Sequence, residues 1–100
     1  MKEKNVLKAL SALAQESRLA VFRFLMDKQE GAAAGAISDA LGIPATTMSF
    51  HLSQLKNAGL IDALKEGRSI IYSANRKRVK KMAKYILSSP IIEGQEKYNL

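Results

Sequence analysis

The chain has 100 residues, no cysteine and a net charge of +7. That length bounds it to one small domain, and the lack of thiols excludes both disulfides and thiolate metal sites. Hydrophobic residues at 47% and charged residues at 25% fit a globular chain, and no apolar run reaches the ~18 residues of a membrane span.

The opening residues, MKEKNVLKALSALAQ, mix charges and lack a small-residue cleavage site. They read as an amphipathic helix rather than a signal peptide, so a cytoplasmic protein is expected. This first helix spans roughly Glu3 to Gln15, with Val6, Leu10 and Leu13 on one stripe and Leu7 beside it. A second helix follows from Glu16 to about Asp27. Leu19, Phe22, Leu25 and Met26 give its period, and Val21 and Phe24 widen the apolar arc, as in a central core helix. Gln29-Glu30-Gly31 ends it. The run Ala32-Ala33-Ala34-Gly35 is conformationally permissive. Ile37, Ala40 and Leu41 then supply the buried side of a short third helix.

Gly42 and Pro44 separate that helix from a fourth, which Gly59 closes. Proline is favoured at a helix start and glycine just past its end. Met48, Leu52 and Leu55 form the buried stripe. At ~100° per residue the opposite face carries Thr46, Phe50, Ser53, Gln54 and Asn57, with Thr47 at its edge. Hydroxyls, amides and one ring, without an acid, suit contact with base edges and thymine methyls in a major groove. Two helices joined by a tight turn, the second with such a face, make a helix-turn-helix.

After Gly59 the period changes. Leu60 to Leu64 and Ser69 to Ser73 read as two strands, with Glu66-Gly67 as the turn and Lys65 and Arg68 at or beside the tip. A basic hairpin after such a helix is a wing, placed to touch phosphates or the adjacent minor groove. Asn75 caps a last helix, roughly Arg76 to Ser88, that Pro90 stops. Val79, Met82, Ala83 and Ile86 form its apolar stripe, while Lys77, Lys80, Lys81 and Lys84 face away. Residues 65–84 hold eight Lys/Arg against one acid, so this segment carries the entire net charge. Such concentration is the electrostatic footprint of a polyanion binder; a merely solvated helix face is the competing explanation. Residues 1–100 read as a single domain, with the 89–100 tail unassigned.

Taken together, LSALAQESRLAVFRFL, LGIPATTMSFHLSQLKNAGLI and EGRSIIYS resemble the ArsR-type winged-helix repressors. The family's "ALA…RL" opening is matched at Leu13-Ala14 with Arg18-Leu19. Its "S-x-HL … L … AGL" core is matched at Ser49 to Leu52, Leu55 and Ala58-Gly59-Leu60. Its wing is matched at Glu66-Gly67-Arg68 with Tyr72. The resemblance implies a mainly α fold with a small β-hairpin, ordered α-α-α-α-β-β-α. It also implies a homodimer built by the first and last helices on a two-fold symmetric operator in double-stranded DNA. The apolar stripes on those two helices independently favour an interface formed by Val6, Leu10, Leu13, Val79, Met82, Ala83 and Ile86, the alternative being that both stripes fold over the core of the single chain.

Thr46, Thr47, Ser49, Phe50, His51, Gln54, Lys65 and Arg68 are the candidate DNA contacts, Ser49 by its family position. Phe50 has alternatives: a thymine methyl, the wing or a neighbouring helix. His51, the only histidine, suits a structural hydrogen bond or a phosphate contact near the helix start. Family metal sites are not expected. Ala33 and Gly35 stand where metal-sensing relatives carry Cys-x-Cys, and the last helix has neither carboxylate nor imidazole. Relatives with paired cysteines just after the last helix have them near Ser88-Ser89, which read either as ordinary helix-terminal serines or as replaced cysteines. No nucleophile, carboxylate pair or phosphate-cradling glycine loop suggests an enzyme, and no cofactor is expected. The sequence thus points to a dimeric transcriptional repressor with an effector that the residues do not name. A winged-helix protein-interaction module that leaves DNA alone is the competing class.

Overall fold

A computed structural model describes residues 1–88; Ser89, Pro90 and the remaining tail lie outside the described residues. The elements are α1 (Glu3–Leu13), α2 (Glu16–Asp27), β1 (Ala32–Ala33), α3 (Ala34–Leu41), α4 (Ala45–Asn57), β2 (Ile61–Glu66), β3 (Ser69–Ala74) and α5 (Arg76–Leu87). The three strands form an antiparallel sheet in the order β1-β3-β2. α2 keeps the bounds expected from its sequence. Its first turn is fixed by the Gln15 side chain, which accepts a hydrogen bond from the Arg18 amide at 2.8 Å.

The core joins Val21, Phe22 and Leu25 of α2 to Ile37 of α3, Met48, Leu52 and Leu55 of α4, and Leu60 and Ile61 at the entry to β2. Val21 is fully buried whereas Leu19 is 42% exposed, so the inner face of α2 is rotated from the one its period suggested. α1 is rotated likewise. Val6, Ala9 and Ala12 are buried, and Leu7 and Leu10 face outward. Small alanines let α1 approach the core closely, and size-weighted periodicity does not register them. In α3, Ile37 is buried and Leu41 partly so, but Ala40 is exposed; Ile43, past the helix end, packs on the core in its place.

Boundaries also differ: α1 ends at Leu13 rather than Gln15, and the wing strands run Ile61–Glu66 and Ser69–Ala74 rather than Leu60 to Leu64 and Ser69 to Ser73. Pro44 is the residue before α4 rather than its first helical residue. The hairpin turn is Gly67-Arg68, because Glu66 already pairs with Ser69. Glycine at φ 61 followed by a residue without positive φ fits a two-residue hairpin turn with glycine first. β1 forms where the sequence shows only a permissive run. Ala32 and Ala33 have little strand preference and gain a ladder only because Tyr72 and Ile71 of β3 lie opposite them.

Candidate nucleic-acid interface

The turn between α3 and α4 is set by its backbone. Gly42 adopts φ 66, and the Ile43 amide donates back to the Ser38 carbonyl at 3.2 Å, closing α3 in a left-handed cap. Pro44 at φ −59 then launches α4, and its carbonyl accepts from the Met48 amide at 2.8 Å. No side chain caps this end and no acid lies in its first turn. The first amides of α4 therefore remain available to an external acceptor, at the end of the helix where the dipole favours an anion. At the other end, Gly59 and Leu60 donate to Lys56 and Leu55 at 2.9 and 3.0 Å, with both leucines fully buried.

Met48, His51, Leu52 and Leu55 anchor the inner face of α4. Thr46, Thr47, Ser49, Phe50, Ser53, Gln54 and Asn57 are all exposed on the outside. The structure thus gathers on one surface every expected α4 contact except His51. His51 is only 4% exposed, so it does not reach a phosphate. Its ring sits edge-on to Phe50, with centroids 5.9 Å apart at 63°, and Nδ1 has no hydrogen-bond partner. Burial, and secondarily the positive charge of Arg18, hold its pKa below the ordinary 6.5, which favours the neutral ring.

On the wing, Lys65 and Arg68 are exposed, Arg68 in the turn itself and Lys65 opposite Ile70. Leu64 and Ile70 are exposed as well, at 66% and 47%. They lie on opposite faces of the hairpin, since Leu64 is paired with Ile71 and Ile70 with Lys65. β1 holds the start of α3 to the wing strand. Gly31, at φ 79, lies so close to β3 that a Cβ there would stand 2.6 Å from the Tyr72 carbonyl oxygen.

Behind the wing, the Asn75 side chain accepts from the Arg78 amide at 3.0 Å, and the Asn75 amide donates to the Leu60 carbonyl at 2.8 Å. The Arg78 guanidinium packs over Gly59. Lys2, Lys4, Lys77, Arg78 and Lys81 line a concavity of about 500 Å³ with no acid among its lining residues. The expected dimer residues divide into two sets. Val6 and Met82 are buried within the single chain, and Leu13 and Val79 pack partly against its core. Leu10, Ala83 and Ile86 are exposed. Leu7, Leu10, Tyr85 and Ile86 line an apolar groove of about 610 Å³ between α1 and α5, and Leu7 and Tyr85 were not in the expected set. Among the described residues, no three His, Cys, Asp or Glu side chains are grouped to hold a metal ion. No helix there is long and apolar enough to cross a membrane.

The family model described as a helix-turn-helix domain matches residues 13–62. The chain is 34% identical over 83 residues to the transcriptional activator HlyU of Vibrio cholerae, covering 80% of this chain and 75% of that protein. It superposes on the homodimeric winged helix-turn-helix DNA-binding domain of a possible ArsR-family regulator from Mycobacterium bovis. There the TM-score is 0.71 at 30% identity, covering 83% of this chain and 76% of that one. An ArsR-like transcriptional regulator from a Rhodococcus species shares the fold with a TM-score of 0.76 at 24% identity, over 83% of this chain and 76% of that one. With its turn, exposed α4 face and wing in the arrangement described, the chain belongs to the ArsR-type winged helix-turn-helix family of DNA-binding transcriptional regulators.

Proposed function

We propose that the protein works as a cytoplasmic homodimer that represses transcription by occupying a two-fold symmetric operator. The observation that carries this reading is the acid-free outer face of α4, exposed from Thr46 to Asn57 beside a basic wing turn. Thr46, Thr47, Ser49, Phe50 and Gln54 read base edges and neighbouring phosphates, while Lys65 and Arg68 hold the flanking backbone. The exposed groove of Leu7, Leu10, Tyr85 and Ile86 receives a second copy, as the homodimeric relative from Mycobacterium bovis suggests. A two-fold pair sets two α4 helices about one turn of DNA apart.

Repression needs only occupancy of DNA that polymerase must also use, which asks least of so small a chain. The relative named as an activator favours a second reading, in which the same occupancy promotes transcription. Without cysteine, the chain has no thiolate ligands with which to sense soft metals, so release falls to some other signal.

Selection of random duplexes by the purified protein tests the proposal. Inverted half-sites about 10 base pairs apart are expected, with affinity falling steeply as salt rises. Placing the selected site over a reporter promoter separates repression from activation. A stable monomer that binds no duplex above the level of random sequence sinks the reading.

A further inference from the structure

Phe50 sits in the middle of the outer face of α4 with its side chain 55% exposed, so neither the wing nor a neighbouring helix covers it. Its neighbours one turn either way, Thr46, Thr47, Ser53 and Gln54, are all exposed and polar. Those groups exchange water for base edges without loss. The ring cannot, and gains on docking only where it meets apolar surface. Its edge-on contact with the buried His51 gives it a fixed neighbour on the core side and leaves the rest of the ring pointing outward. Phe50 also lies about 6 Å along the helix axis from Thr46, one turn past the amides suited to phosphate. Among the base edges of the major groove, the apolar group is the C5-methyl of thymine.

Resting on the reading of α4 as the groove-entering helix, we infer that Phe50 is a specificity-determining residue that selects thymine at one position of each half-site through its C5-methyl. The ring accepts the methyl and offers no hydrogen bond, so it discriminates by presence or absence of that group alone.

The test uses the full chain and a duplex selected by it, with each thymine replaced in turn by deoxyuridine, which removes only the methyl. One position per half-site should weaken wild-type binding about fourfold, the ratio that the loss of one buried methyl carries. Substitution in both half-sites should weaken it about sixteenfold. Phe50→Ala should bind the thymine and uracil duplexes equally, and Phe50→Leu should retain a smaller preference. Since the ring is exposed, the thermal melt of Phe50→Ala should match that of wild type. Wild-type protein that binds the selected duplex but ignores uracil at every position overturns the inference and leaves DNA binding standing. A thymine preference that survives in Phe50→Ala overturns it as well. Failure of wild type to bind any duplex overturns both readings.

Discussion

Gly31 and His51 show how single residues hold this fold in opposite ways, one by lacking a side chain and one by hiding a polar ring. At φ 79, and with the Tyr72 carbonyl 2.6 Å from where a Cβ would stand, Gly31 admits no side chain without moving β3. Gly31→Ala should cost about 2–3 kcal/mol in urea denaturation, combining left-handed strain with the steric clash. His51 is favoured as the neutral ring in the folded state, and its pKa rises to the ordinary 6.5 on unfolding. The unfolded chain therefore binds the proton more readily. Stability from this group is complete above about pH 6.5 and falls as the pH drops below it toward the folded value. Denaturation midpoints measured from pH 7.5 to 5.5 should fall more steeply for wild type than for His51→Leu. Equal slopes would show that the ring titrates alike in both states.

At the level of elements, the wing separates attraction from selection. Arg68→Ala should weaken binding to all duplexes and lower the salt slope by about one, whereas Thr46→Ala should change the ranking of operators; titrations at several salt concentrations distinguish the two. Much of this architecture was legible in the chain because its elements carry strong local signals. Gly42, Pro44 and Gly59 punctuate the helices by backbone chemistry, the Asn75 side chain caps the last one, and Gly67 lies in the hairpin turn. What stayed hidden depends on tertiary contact. Ala32-Ala33 becomes a strand only when β3 lies alongside it. The inner face of α1 is made partly of Ala9 and Ala12, which periodicity weighted by large side chains overlooks. The site was legible as a face, and His51, which the sequence offered both a structural and a phosphate role, lies buried on the core side.

For the whole molecule, the proposed dimer turns on the exposed groove between α1 and α5. Ile86 is 53% exposed in the single chain, so Ile86→Glu should leave the helical circular dichroism intact. It should shift sedimentation from dimer to monomer and sharply weaken binding to a two-site operator while affecting one half-site little. The α5 side of the groove also connects with the end of α4. The Asn75 amide bonds the Leu60 carbonyl, and the Arg78 guanidinium lies on Gly59, so α5 begins where α4 ends. The two helices meet there like the arms of a caliper sharing one pivot. On the proposed pairing through this groove, a molecule wedged there would alter the span between the two α4 tips and put them out of step with the pitch of the duplex.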